Sequence, residues 1–148
     1  MDTPAHPPAP LYRWSVRVYY EDTDTGGIVY YANYLKFFER CRTEWLRSIG
    51  VGQRALADEH QVQFVVAALQ MDYLKPARLD DLLEIDMHCA RLRRASFEFA
   101  QGATCHGEPL ARLQIKVACI DSRSFAPRPL PPFITRALHD SHGSFAAP

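Results

Sequence analysis

From about Tyr31 to Ile49 the chain carries one long amphipathic pattern, and this pattern limits what the remainder can fold into. At roughly 100° per residue, Tyr34, Phe37, Phe38, Cys41, Trp45 and Ile49 share a face that Leu35 and Leu46 widen. Lys36, Glu39, Arg40, Thr43 and Arg47 lie on the other side, and Gly50 stands where a C′ glycine ends a helix. Such a helix is about 28 Å long. Its apolar arc is too wide to rest on an edge, so it needs a broad surface to pack against.

Period-two stretches supply that surface. Before the helix, Trp14, Val16, Val18 and Tyr20 alternate with Ser15, Arg17 and Tyr19, as in a half-buried strand. After it, a short second helix is expected over about Gln53 to Glu59. Val62 to Tyr73 is apolar at even and odd positions alike, as in a strand covered on both faces. Pro76 interrupts the run, and Arg78-Leu79-Asp80-Asp81 reads as a turn. Leu83, Ile85, Met87 and Cys89 then alternate with polar residues, as do Phe97 and Phe99. After a turn at His106-Gly107-Glu108-Pro109, so do Leu113, Ile115, Val117 and Cys119. Four or more strands in hairpin-like succession make an antiparallel sheet. The economical packing is α+β, with a strongly curved antiparallel sheet wrapped around one long central helix. One helix cannot close the sheet edges, so pairing with a second copy is expected.

The 148 residues suffice for one domain with one sizeable core. Residues 1–10 are proline-dense and expected to be disordered, residues 11–138 form the single domain, and residues 139–148 are expected to be a flexible tail. Seventeen basic and seventeen acidic side chains balance, which argues against non-specific nucleic-acid binding. No apolar run approaches the roughly 18–20 residues that would cross a bilayer, so no membrane insertion is expected. The N-terminus lacks the basic head and apolar segment of a secretory signal, so the chain is expected to stay in the cytoplasm. Cys41, Cys89, Cys105 and Cys119 are dispersed and read as small buried hydrophobes. The six histidines never approach metal-ligand spacing, so no zinc site is expected.

The helix is preceded by Tyr19 to Tyr34, where three events coincide. A strand ends in the carboxylates Glu21, Asp22 and Asp24; Gly26 and Gly27 permit a sharp or close-packed turn; and the helix begins. Unpaired N–H groups at a helix start can stabilise developing negative charge, so a carboxylate held beside them suggests a site. A solvated acidic loop capping a helix has the same residues. The spacing Asp22-x-Asp24-x-Gly26 also resembles a calcium loop, but Asn33 stands where the bidentate glutamate is required, which excludes it. Arg42 breaks the apolar arc. Either its stem snorkels to water or it needs a buried acidic partner, for which Asp22 or another loop carboxylate is the candidate.

Tyr19-Tyr20-Glu21-Asp22-Thr23-Asp24-x-Gly26-Gly27-x-Val29-Tyr30-x-x-x-Tyr34, followed by Phe38-Glu39-Arg40-x-Arg42-Thr43-Glu44, resembles the hotdog-fold acyl-CoA thioesterases of the Tol-Pal-associated family. These are similar in turn to bacterial 4-hydroxybenzoyl-CoA thioesterases. The match continues through Phe64-Val65-Val66, Ala77 to Asp81, and Pro127-Arg128-x-Leu130-Pro131, covering roughly residues 11–132.

The resemblance implies a hotdog fold and hydrolysis of the thioester of acyl-CoA without a cofactor. It assigns the chemistry to Asp24, as nucleophile or as general base for water, and polarisation of the carbonyl to the backbone N–H of Tyr31. Asp22, Gly26 and Gly27 would support the site. Many Tol-Pal-associated members carry histidine where Tyr31 stands, whereas 4-hydroxybenzoyl-CoA thioesterases often have tyrosine. Arg93, Arg94 and Ser96 resemble the family's nucleotide-contacting strand start, Arg128 is a further phosphate candidate, and an exposed basic hairpin end accounts for the arginines equally well. Phe64 and Val65 are expected to line the acyl slot or pack in the core. The resemblance also implies a dimer at least, with a tetramer the expected state. The non-enzymatic alternative is an acyl-carrier-protein-binding or envelope-complex scaffold that kept the fold.

Overall fold

A computed structural model describes residues 9–140. Its elements are β1 (Tyr12–Arg17), α1 (Asn33–Ser48), α2 (Gln53–His60), β2 (Val62–Tyr73), β3 (Leu82–Leu92), β4 (Ser96–Cys105), β5 (Glu108–Asp121) and α3 (Pro132–Asp140), with a 3₁₀ turn at Tyr20–Asp22. The strands form one antiparallel sheet in the order β1-β3-β4-β5-β2. Register shifts interrupt the β2–β5, β3–β4 and β4–β5 pairings. Such bulges bend and twist the strands and curve the sheet around the helix. This is the hotdog arrangement.

The alternation read from the sequence is realised in the three middle strands. Leu83, Ile85, Met87 and Cys89 of β3, Phe97 and Phe99 of β4, and Leu113, Ile115, Val117 and Cys119 of β5 are all buried. Opposite them α1 buries Tyr34, Phe37, Phe38, Cys41, Trp45 and Leu46. Trp45 meets Phe99 edge-on, with ring centroids 5.8 Å apart. Each fully buried large side chain contributes roughly 1.5–3 kcal/mol, so this one seam carries much of the stability. Burial pushes the Cys41 thiol up to about 12 and those of Cys89 and Cys119 up to about 11, as expected of packed thiols. His106 and Gly107, both at positive φ, make the two-residue turn between β4 and β5. Gly50, at φ 86, closes α1, and the Val51 N–H bonds the Leu46 carbonyl across it.

Five expectations are corrected. First, alternation in β1 ends with buried Val18. Tyr20 belongs to the 3₁₀ turn and is 81% exposed, because the chain leaves the sheet before reaching it. Second, α1 starts at Asn33, two residues late, since the Asn33 N–H closes a tight turn onto the Tyr30 carbonyl at 2.8 Å. Third, β2 is an edge strand and not one covered on both faces, with Val66, Leu69 and Tyr73 each about half exposed. Fourth, the sequence reading missed α3. Pro132 sits at its first position, where a missing N–H costs nothing, and Ile134 and Leu138 are fully buried in the same core as α1. The long helix therefore shares the sheet face, and His139, assigned to a flexible tail, is helical. Asp140 ends the same helix, and of the two expected flexible termini residues 1–8 and 141–148 lie outside the described residues.

The fifth correction concerns Arg42. Its partner is no carboxylate: Nη1 donates to Gln101 Oε1 at 2.8 Å. Gln101 is 3% exposed, and its Nε2 donates onward to the Phe38 carbonyl at 3.1 Å. One side chain of the sheet thus holds two points of the helix. Burial lowers the guanidinium pKa, with Glu39 nearby opposing that shift. Replacing Gln101 by Ala leaves a largely buried cation without its acceptor. Chemical denaturation should show a loss of about 2 kcal/mol. Unchanged stability would mean that Arg42 reaches water instead.

Candidate active site

Between β1 and α1 the chain folds into a small hairpin held from beneath by Asp22. The Asp22 carboxylate, in a residue only 8% exposed, accepts the Tyr19 N–H through Oδ2 at 2.9 Å. Its carbonyl accepts both the Tyr30 N–H and Asn33 Nδ2, each at 2.9 Å. One residue therefore ties the end of β1, the far arm of the loop and the first turn of α1. Thr23 pairs with Val29, and the Val29 N–H bonds the Ala77 carbonyl at 2.9 Å, so the loop is also laced to the segment after β2. Tyr34 completes that lacing, its hydroxyl accepting the Ala77 N–H at 3.1 Å.

Asp24 sits at the hairpin's tip. Its Oδ1 accepts the Gly26 N–H at 2.8 Å, and the Gly27 N–H bonds the Asp24 carbonyl at 3.0 Å. The two glycines serve different needs. A Cβ on Gly26 would lie 3.1 Å from Asp24 Oδ1, so a side chain there would press on the carboxylate. Gly27 has open space around it but needs its φ of 78. Oδ2 of Asp24 makes no hydrogen bond among the described residues.

Asp24 and Tyr31 line one groove of about 410 Å³, together with Ile28, Val29, Tyr30, Tyr34 and the β2 exit Tyr73 to Pro76. The N–H of Tyr31 donates to no acceptor among the described residues. The groove thus has an apolar, aromatic wall, one carboxylate with a spare oxygen, and a residue with a free N–H in the turn that leads into the helix. That is the minimum for adding a nucleophile to a carbonyl and holding the resulting oxyanion.

The other expected site residues gather elsewhere. Val65 and Ser96 both pair with Ala118 of β5, while Tyr73 pairs with Ala111. Ser96, Arg93, Arg94, Phe64 and Val65 therefore lie at the opposite end of the sheet, roughly 25 Å along β2 from Tyr73. Phe64 packs edge-on against Phe97 at 5.4 Å, at the rim of the core. Arg93 and Arg94 are exposed. Arg128 is engaged internally, with Nη1 3.0 Å from Asp121 Oδ2 and 3.2 Å from the Gln61 carbonyl. No group of three or more His, Cys, Asp or Glu side chains able to hold a metal forms among the described residues. No helix among them is long and apolar enough to cross a membrane.

Sequence reasoning missed the groove wall contributed by Tyr73, Leu74, Lys75 and Pro76. Nothing local to those residues signals a site. They reach it because Ala77 is stitched to Val29, a contact across 48 positions that only the tertiary fold creates.

Comparison with known proteins gives a consistent picture. Residues 26–111 match the model of the thioesterase superfamily. The chain is 42% identical over 128 residues to the acyl-CoA thioesterase YbgC of Haemophilus influenzae, covering 86% of this chain and 94% of that protein. The crystal structure of a probable thioesterase from Bartonella henselae superposes with TM-score 0.78 at 36% identity, over 81% of this chain and 98% of that one. A thioesterase of Thermus thermophilus, solved in complex with coenzyme A and Zn, superposes with TM-score 0.77 at 27% identity, over 91% of this chain and 96% of that one.

The glycine geometry yields a separable pair of outcomes. Gly27→Ala should lower stability by roughly 1–2 kcal/mol, the cost of a left-handed backbone at a residue with a Cβ. Gly26→Ala should leave the melting temperature closer to wild type while displacing the Asp24 carboxylate. Thermal unfolding of both variants distinguishes them, and equal losses would contradict the division of roles.

Proposed function

The chain belongs to the thioesterase superfamily and is a thioester hydrolase, and we propose that its substrate is an acyl-coenzyme A, cleaved to the free acid and coenzyme A. The observation that carries this reading is the shared groove, lined both by Asp24, a carboxylate with one uncommitted oxygen, and by Tyr31, whose N–H has no acceptor among the described residues. The thioester carbonyl oxygen accepts the Tyr31 N–H. Attack on the carbonyl carbon moves its π electrons onto oxygen, and the N–H holds the charge that develops. Donors of this kind typically contribute about 3 kcal/mol to the transition state.

Asp24 supplies the attack by one of two balanced routes. As general base it takes a proton from water while the water oxygen bonds the carbonyl carbon. Collapse then breaks the C–S bond, and the leaving thiolate recovers the proton. As nucleophile its own oxygen bonds the carbon and expels the thiolate, and water then hydrolyses the mixed anhydride. Both routes need the oxygen that Gly26 leaves free. Asp22 serves by fixing the loop, since its carboxylate is buried and committed to the Tyr19 N–H.

The second copy of the chain completes the site in this reading. The edge strand β2 leaves Val66, Leu69 and Tyr73 half exposed, an aggregation hazard that pairing removes. Two β2 strands joined antiparallel about a two-fold axis set the start of one beside the end of the other. The partner copy's arginine-bearing hairpin and its Phe64–Val65 end then approach the groove that holds Asp24. Arg93 and Arg94, exposed and unpaired with any acid among the described residues, are free to bind the phosphates of coenzyme A across that interface. Ser96 stands beside them in the same contact, and Arg128 is the weaker candidate because Asp121 already holds it.

Thiol release from short, long and aromatic acyl-CoAs tests the reaction. Asp24→Asn should lose at least about a hundredfold in kcat while remaining folded. Full rate in a folded Asp24→Asn protein would sink the assignment. Acyl-carrier binding without any turnover by wild type would favour the scaffold reading instead. The shared site has its own measurement. Protein carrying Asp24→Asn, mixed after subunit exchange with protein carrying Arg93→Ala and Arg94→Ala, should regain about a quarter of wild-type activity at low substrate. Half of the randomly formed dimers are then hybrids, each with one intact site of two. Activity no greater than the mean of the two parents would place the arginines and Asp24 in separate functions.

A further inference from the structure

Tyr73 is the last residue of β2, and its hydroxyl donates to the Tyr31 carbonyl at 2.7 Å. The helix makes no use of that carbonyl. The Asn33 N–H goes to the Tyr30 carbonyl and the Leu35 N–H to the Ala32 carbonyl, so the acceptor between them is passed over. Without Tyr73 the Tyr31–Ala32 peptide would have no fixed partner among the described residues, although it belongs to the same turn as the Tyr31 N–H. The Tyr73 ring is itself held from two sides, 6.4 Å from Tyr31 and 5.5 Å from Tyr34, both edge-on. Tyr34 is buried and bonded to the Ala77 N–H, so the contact rests on the core.

We propose that Tyr73 is a positioning residue for catalysis, its hydroxyl fixing the Tyr31 turn so that the oxyanion-binding N–H is set before substrate arrives. The inference rests on the proposed reaction. Partial burial raises the phenol pKa, with Tyr31 and Tyr34 adding to the shift, so the hydroxyl stays protonated and donating across the neutral range. A preorganised donor is worth more than one that must be ordered during the reaction, because no reorganisation is needed when charge develops. Tyr73 also ends the strand at which the second copy is proposed to pair. The same residue that closes the sheet edge thereby sets the geometry of the site.

Tyr73→Phe removes the hydroxyl and keeps the ring. Its kcat on acyl-CoA should fall about tenfold, which is about 1.4 kcal/mol of barrier, with KM within about twofold of wild type. Amide hydrogen exchange at Tyr31 and Ala32 should quicken in the same variant without substrate present, while exchange in β3 to β5 stays unchanged. A rise in KM with kcat intact would make Tyr73 a substrate contact and overturn the positioning role. So would wild-type kcat, or exchange at Tyr31 and Ala32 unchanged from wild type. Loss of activity matched by general loss of protection in the sheet would assign Tyr73 to stability and overturn it as well. Asp24→Asn run alongside separates the two claims: full activity there removes the reaction scheme, whereas a dead Asp24→Asn with a fully active Tyr73→Phe removes only this inference.

Discussion

The buried carboxylate of Asp22 is the point on which the site depends. A carboxylate this inaccessible is tolerated only where hydrogen bonds replace water, and the Tyr19 N–H supplies one. The backbone carbonyl of the same residue receives two more donors, from Tyr30 and Asn33. Three segments that sequence separates are held by one residue, and the intervening stretch from Thr23 to Val29 has little choice but to project as a hairpin. Asp24 is exposed because Asp22 is not. Of three acidic side chains within four positions, one anchors, one is presented to the groove, and Glu21 remains in solvent.

Above that anchor, the sheet and helix fix the direction of the groove. Gln101 and Arg42 set the long helix against β4 through two hydrogen bonds, a registry device in a seam otherwise made of non-directional contacts. A neutral acceptor suits this place. A carboxylate opposite Arg42 would have required a second charge to be desolvated, a penalty that the Coulomb attraction does not reliably recover. The amide gives the guanidinium an acceptor and uses its own N–H on a helix carbonyl, so both partners are satisfied and only one charge is buried. With the helix held, its start always emerges beside the exit of β2, where Tyr73 waits for the Tyr31 carbonyl.

The legibility of the sequence follows how local each signal is. The helix face and the alternating strands β3 to β5 could be read because burial on one side leaves a period in the residues themselves. The turn at Gly26 and Gly27 could be read because only glycine meets those two demands. What could not be read was set by position in the fold. Val62 to Tyr73 has the composition of a central strand but occupies an edge, and composition cannot distinguish a face covered by its own chain from one left open. The helix Pro132–Asp140 is short, opens on proline and follows a proline-rich stretch, so its two buried anchors, Ile134 and Leu138, gave too few turns to establish a period. Arg42 was recognised as an anomaly, yet its partner was sought among acids, although an amide meets the same need. The choice of Asp24 over Asp22 came from family resemblance; spacing alone treated them alike, and their opposite burial is a tertiary property.

The same distinction bears on Tyr31. In the proposed reaction this position contributes its N–H, which every residue except proline possesses. Its ring is largely exposed and meets the rings of Tyr30 and Tyr73 at the groove wall. Its carbonyl is held by a side chain from another element. Both backbone groups are therefore placed by the fold, through Asp22 below and Tyr73 beside, and the side chain is left to shape the groove wall. A site arranged in this way keeps its electrophile when the residue that bears it is exchanged. In the proposed reaction, variation at Tyr31 acts on the shape of the groove, and proline, which alone removes the donor, is the one substitution the chemistry forbids.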